Sequence, residues 1–349
     1  MNITKTIFVG AVVAIAGTLF AMPVEPASAA SSASLSIVPK KNYTVEPGKS
    51  VKDTLVIRNL DADKELELQL NVVDFTFTDD GGTPKLLLDE DAPQTTWSLK
   101  PFLTVPKSVV IPPSTSKTLD MSVEIPVNQG AGSFYSAIVY SSGSPDGGNV
   151  GLSASGVTLA FVNVPGDVRE DLQVEKFGAY NQSSRKYLYL TPNEPLAVAY
   201  TLKNAGNVVE APVGSITISD LFGNKRNISN INPNESLALI GQTRTFTSCI
   251  ELEKEKVNFN GEETESSACG VPGLWPGFYS LKLDAFYGQN GNRTQEIAAK
   301  SWFIYMPVWF IILLVVVAVA IWYYTRKLIR KFKGASRTRQ AKKSSRRRR

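Results

Sequence analysis

Apolar and polar residues alternate along short stretches through most of the chain. In Thr118-Leu119-Asp120-Met121-Ser122-Val123-Glu124-Ile125 every second residue is apolar, and Glu65 to Val72 does the same through Leu66, Leu68, Leu70 and Val72. A period of two puts one face on a core and the other in water, which predicts β-strands. Further short β-rich runs, several of them alternating, cover residues 35–38, 51–58, 107–111, 134–140 and 157–164, and then Leu188, 196–202, 215–219, 236–240, 244–246, 279–287 and 297–303. Pro, Gly, Asn and Asp separate them, and no long helical period intervenes between residues 30 and 300. Asn290-Gly291 predicts a tight turn between the last two strands.

The two halves carry matching motifs in the same order. Val56-Ile57-Arg58-Asn59 pairs with Thr201-Leu202-Lys203-Asn204, Ile111-Pro112-Pro113-Ser114 with Ile231-Asn232-Pro233-Asn234, and Gly132-Ser133-Phe134-Tyr135 with Gly277-Phe278-Tyr279. The spacing from Asn59 to Gly132 equals that from Asn204 to Gly277, 73 residues in each half. A repeated order at a repeated spacing predicts two copies of one topology. Short antiparallel strands spaced by proline turns fit an all-β chain of two tandem immunoglobulin-like β-sandwiches, residues 30–166 and 167–301.

Two unbroken apolar segments frame these halves. The first, from Ile7 to Met22, follows Lys5 and ends in Ala27-Ser28-Ala29. That is the pattern of a secretory signal peptide over residues 1–29, cut between Ala29 and Ala30. The second, from Trp302 to Tyr324, holds no charge and has aromatics at both ends. At ~1.5 Å per residue such a helix reaches across a ~30 Å hydrocarbon core, so residues 302–325 read as a transmembrane helix. Arg326, Lys327, Arg330, Lys331 and Lys333 follow at once. The positive-inside rule then places residues 326–349 in the cytoplasm and the sandwiches outside, on a single-pass protein of the plasma membrane.

Charge sharpens this division. The net +5 combines an acidic body with a tail of thirteen basic residues after residue 325, so the pI of 9.0 is no sign of a nucleic-acid-binding fold. Anionic lipid is the expected contact of the tail, which otherwise sets topology and is expected to be disordered. There is no histidine, which removes Ser-His-Asp and Cys-His catalysis and His-ligated metals. Two cysteines cannot build a four-thiolate zinc site. Cys249 and Cys269 instead predict a disulfide in an exported chain, stapling an acidic excursion that contains Glu251, Glu253, Glu255, Glu262, Glu263 and Glu265. Gly48-Lys49-Ser50 lacks the upstream glycine and following helix of a phosphate loop, and Asp79-Asp80-Gly81-Gly82 fits a hairpin turn better than a calcium loop. No catalytic, cofactor-binding or metal site is expected.

The order of Asn59, Pro112-Pro113, Gly132-Ser133-Phe134-Tyr135, Asn204-Ala205-Gly206-Asn207, Pro212-Val213-Gly214, Asp220-Leu221-Phe222-Gly223 and Pro276-Gly277-Phe278-Tyr279, then one membrane helix and a basic tail, resembles the WxL-interacting proteins of Gram-positive bacteria. The resemblance implies a first domain that binds peptidoglycan and a second that engages partner or host proteins. The chain departs from it at Val38-Pro39-Lys40-Lys41-Asn42, where that family opens with Pro-Glu-Asn-Gln, and in its disulfide loop. The expected function is therefore cell-surface adhesion, the ectodomain holding a cell-wall polymer or a surface protein, with residues 79–93 and 141–151 as candidate contact loops. A chaperone-like assembly factor for exported fibres and a non-catalytic subunit of a membrane complex are the alternatives; a carbohydrate-active enzyme is weighed below them.

Overall fold

The alternating segments pair into two β-sandwiches, one in each half of the chain. The computed structural model describes residues 35–345 apart from 80, 89–94, 143–153, 260–261 and 289–293. The first half forms β1 (Leu35–Ile37), β2 (Lys40–Thr44), β3 (Ser50–Asn59), β4 (Leu66–Phe77), β5 (Pro84–Leu87), β6 (Leu103–Thr104), β7 (Ser108–Ile111), β8 (Ser116–Glu124), β9 (Gly132–Ser141) and β10 (Ala154–Val164). One sheet runs β1-β3-β8-β6. The facing sheet runs β2-β10-β9-β4-β5, with β7 also pairing with β4.

The second half forms β11 (Leu172–Asn181), β12 (Lys186–Leu188), β13 (Leu190–Thr191), β14 (Ala197–Asn204), β15 (Val213–Asp220), β16 (Lys225–Ile228), β17 (Thr243–Cys249), β18 (Leu252–Phe259), β19 (Glu262–Cys269), β20 (Gly277–Tyr287) and β21 (Gln295–Tyr305). Its sheets run β12-β11-β14-β17 and β13-β21-β20-β15-β16, and β18 and β19 form a separate hairpin.

The repeat seen in the sequence is a repeat of topology. In each half an early segment changes sheets: β1 joins β3 while β2 lies parallel to β10, and β12 joins β11 while β13 lies parallel to β21. The paired asparagines do the same job twice. Asn59 Nδ2 donates to the carbonyls of Lys64, Ile111 and Pro112, and its Oδ1 accepts from Asp61 N–H. Asn204 Nδ2 donates to the carbonyls of Val208 and Ala238, and its Oδ1 accepts from Gly206 N–H. Each amide satisfies turn groups that burial has cut off from water.

The inner faces follow the alternation. Leu55 and Ile57 of β3 meet Leu119, Met121 and Val123 of β8 in the first core, and Tyr279, Leu281, Leu283, Ala285 and Tyr287 of β20 line the second. β11 escaped the sequence reading because a bulge between Val174 and Lys176 switches its buried parity from Leu172 and Val174 to Phe177 and Ala179. Residues 236–240 correct an expectation. They form no strand, only a bridge from Ala238 to Glu210, because Leu237, Leu239 and Ile240 pack against the other sandwich.

The apolar run that begins at Trp302 is divided between two elements. Strand β21 continues to Tyr305, held by β20, and helix α1 (Val308–Ser345) begins after Pro307. Val308–Arg330 is long and apolar enough to cross a membrane, and none of its most apolar window is buried inside the protein, as expected of a single-pass anchor. The helix continues to Ser345, where the tail was expected to be disordered.

Asn204→Ala leaves the Val208 and Ala238 carbonyls and the Gly206 N–H without their partner. The expected loss is about 2 kcal/mol or more, checked by chemical denaturation, with Asn59→Ala losing a similar amount in the first sandwich.

Candidate functional site

The two sandwiches meet along an apolar seam. On one side stand Phe75, Tyr135, Ala137, Val139 and Phe161, on the outward face of the β2-β10-β9-β4-β5 sheet; on the other stand Val209, Leu239 and Ile240. Phe75 packs its ring 5.3 Å from Tyr135 and 5.9 Å from Phe161. Polar bonds fix the register of the seam. Ser133 N–H donates to Asn207 C=O at 3.0 Å, Val209 N–H to Ser133 Oγ at 2.9 Å, and Phe77 N–H to Gln242 Oε1 at 3.2 Å. Gln242 Nε2 donates to Thr76 Oγ1. Arg185 pairs with Asp79 across the gap at 2.6 Å.

A groove of about 370 Å³ opens beside this seam, lined among others by Gly81, Tyr180, Arg185, Asn232, Arg244 and Thr247. Its most unusual member is Arg244. The guanidinium carbon lies 4.8 Å from the Phe77 ring of the first sandwich and 5.4 Å from the Phe246 ring of the second. One Nη donates to Leu237 C=O. No described carboxylate forms an ion pair with it. Burial lowers its pKa, with the Tyr200 phenol acting in the opposite sense. Beneath it the Tyr200 and Phe246 rings stack at 5.1 Å, and the buried Tyr200 hydroxyl has no hydrogen-bond partner among the described residues. A guanidinium between two rings, with a single acceptor among the described residues, is suited to a carboxylate or to main-chain carbonyls.

The floor of the groove is β17, the last strand of its sheet. Asn204 N–H donates to Gln242 C=O at 3.0 Å and Ile250 N–H to Leu196 C=O at 2.9 Å, just beyond its two ends. With the register Leu202–Arg244, Tyr200–Phe246 and Val198–Ser248, the even-numbered residues therefore bond to β14. Antiparallel pairing then turns the main-chain groups of Thr243 and Thr247 toward the outer edge.

A second hollow lies on the far side of the seam, where Lys40, Asn42 and Phe161 face Glu210 and Glu235. Glu210 is 2% exposed; its Oε2 accepts from Gly288 N–H at 3.2 Å, and its Oε1 has no partner among the described residues. Burial first, and then the nearby Glu170 charge, push its pKa up to about 8.

The sequence-predicted positions fall as follows. Cys249 and Cys269 are bonded to one another, closing the base of the β18–β19 hairpin at the end of the groove strand. Of the loop 79–93, Asp79 turns to the second sandwich through Arg185, while residues 80 and 89–93 lie outside the described residues. The loop 141–151 beyond Ser142, and Ala29 and Ala30, also lie outside them. Arg326, Lys327 and Arg330 are exposed on α1, and Lys331 and Lys333 continue that helix. The described residues hold no group of three or more His, Cys, Asp or Glu able to bind a metal. Arg244 was missed, although it left a signal: it shares the inward parity of Phe246, where an arginine is out of place.

Neither a protein-family model nor a curated protein matches the chain. Solved structures bear a distant likeness to it. One comes from work described as "Chaperone-tip adhesin complex is vital for synergistic activation of CFA/I fimbriae biogenesis", with 12% identity, 78% of this chain and 99% of that chain covered, and a TM-score of 0.35. The class 5 fimbriae chaperone CfaA follows, with 13% identity, 77% and 99% covered, and a TM-score of 0.31. The E. coli chaperone DraB gives 14% identity, 78% and 98% covered, and a TM-score of 0.31. No residue role is taken from these likenesses.

The raised pKa of Glu210 makes stability depend on pH. The folded chain keeps its proton up to about pH 8, whereas an unfolded glutamate releases it near ~4.3. Stability contributed by this site is full below the unfolded pKa and is lost as pH rises through about 8. Glu210→Gln is expected to flatten the fall in urea midpoint between pH 5 and pH 8.5; an unchanged slope would place the charge elsewhere.

Proposed function

We propose that this chain is a membrane-anchored, non-catalytic surface protein that holds an extended segment of a partner polypeptide in the groove between its sandwiches. The observation that carries the reading is the coincidence of an edge strand, β17, with an arginine that has no described acidic partner, in one groove. Outward main-chain groups pair with another main chain, by strand addition, and Arg244 would take a carboxylate or carbonyl of the incoming segment. The seam supports this by making one body of two domains, so the groove keeps its shape without the ligand.

Of the roles expected from sequence, handling an exported protein fits such a groove better than adhesion to a wall polymer, because sugars offer no ladder of main-chain partners. The groove would then act as a chaperone-like holdfast beside the membrane. The resemblance to WxL-interacting proteins enters here in the same way, as a proposal that the second sandwich meets a protein.

The test uses the full chain in its own membrane, with a photo-crosslinking residue at Thr247. The expected result is a crosslink to one segment of a surface protein. Thr247→Pro removes one outward N–H and leaves the β14 ladder intact, since edge strands tolerate proline; it should abolish capture without lowering the thermal midpoint. Arg244→Ala should weaken capture about tenfold, as a lost charge-assisted bond does. Capture that ignores both substitutions, or saturable retention on cell-wall sacculi that ignores them, would overturn the groove reading.

A further inference from the structure

The exposed aromatic side chains of the sandwiches are unevenly placed. Among the described residues before the helix, those exposed are Tyr189, Phe222, Trp275, Phe278, Phe286 and Trp302, all in the second sandwich. All but Phe286 gather at the end from which α1 departs. The register shows it: Gly277 pairs with Tyr305, Phe278 with Ile304, Ser280 with Trp302, Leu190 with Ile304, and Asp220 with Tyr279. The Trp302 ring lies 5.8 Å from Tyr189 and 6.0 Å from Phe278. Tyr279 Oη donates to Trp275 C=O at 2.7 Å, pinning the segment that presents Trp275.

The turn between β15 and β16 adds to this rim. Leu221 and Phe222 are 70% and 89% exposed at its tip, where polar residues are the rule. Asp220 Oδ1 holds the turn by accepting from Phe222 N–H at 2.8 Å and Asn224 N–H at 2.9 Å, so the two apolar side chains are presented by an ordered loop.

We infer that this rim, centred on Phe222, Trp275, Tyr189 and Trp302, docks into the interface of the bilayer leaflet on the ectodomain side. The inference rests on the proposed membrane anchor. Its occupant follows from continuity: only Met306 and Pro307 separate β21 from the helix, a link of roughly 7 Å at full extension. Met306 N–H is itself bonded to Thr191 C=O at 2.9 Å, so the link is no loose tether. A helix in the bilayer therefore brings this end of the sandwich to the headgroups, where Trp, Tyr and Phe are at home. Docking there sets the orientation of the groove relative to the membrane.

The test is spin-label accessibility of the full chain in phosphatidylcholine nanodiscs, a zwitterionic lipid that removes bulk charge attraction. Nitroxides are placed by Phe222→Cys, by Trp275→Cys, by Val316→Cys within α1, and by Val127→Cys, which is 83% exposed on the first sandwich. Collision with oxygen relative to a water-soluble nickel chelate should be about tenfold greater at 222, 275 and 316 than at 127, as for groups below the headgroups. Label 316 in lipid with 222 or 275 as wet as 127 would overturn the docking and leave the anchor standing. Label 316 in water would overturn the anchor, and the docking with it.

Discussion

The structure depends on one strand being buried on both faces. Every residue of β9 is buried: Phe134, Ile138 and Tyr140 point into the first sandwich, while Tyr135, Ala137 and Val139 point into the seam. The neighbouring β10 splits likewise, with Ala160 and Val162 inward and Phe161 in the seam. Burying a large apolar side chain is worth ~1.5–3 kcal/mol, so a seam of eight buried apolar residues outweighs the exposed ion pair that spans it. The hydrogen bonds around Ser133, Asn207 and Gln242 add register to an association that apolar contact drives.

A tight seam puts polar groups in dry places, and the chain treats each differently. Asp74, 8% exposed, receives hydrogen bonds from Ser98 Oγ at 2.6 Å, Ser136 Oγ at 3.1 Å and Thr95 N–H at 3.2 Å. Its two oxygens are met by neutral donors. Glu210 has a single donor among the described residues and keeps its proton. Arg244 cannot shed its charge at any ordinary pH, so it leans on two rings and one carbonyl. The difference singles out Arg244 as the group with most to gain from a ligand.

The same economy of connection governs the membrane end. The last strand becomes the helix after two residues, and the disulfide closes the acidic hairpin where β17 ends. Groove strand, hairpin and anchor thus belong to one sandwich, while the first sandwich is carried on top of it through the seam. The groove is lined by both sandwiches, and its strand β17 belongs to the one that leads into α1.

The sequence by itself determined the local rules. Period-two alternation in 65–72 and 118–125 gave strands with one wet face, the equal spacing of Asn59–Gly132 and Asn204–Gly277 gave a repeated topology, and Cys249 and Cys269 gave a disulfide. These are legible because each depends on neighbours in the chain. The run Phe134 to Tyr140, apolar apart from Ser136, gave a strand, but nothing local says what covers its second side. Residues 236–240 look like a strand and are a wedge, and β11 hides its alternation behind a bulge. Arg244 and Phe77 lie far apart in the chain and meet only when two sandwiches close on one another. That meeting is a long-range packing choice, made by surface shape and burial that no local pattern encodes, so only the tertiary structure decided it.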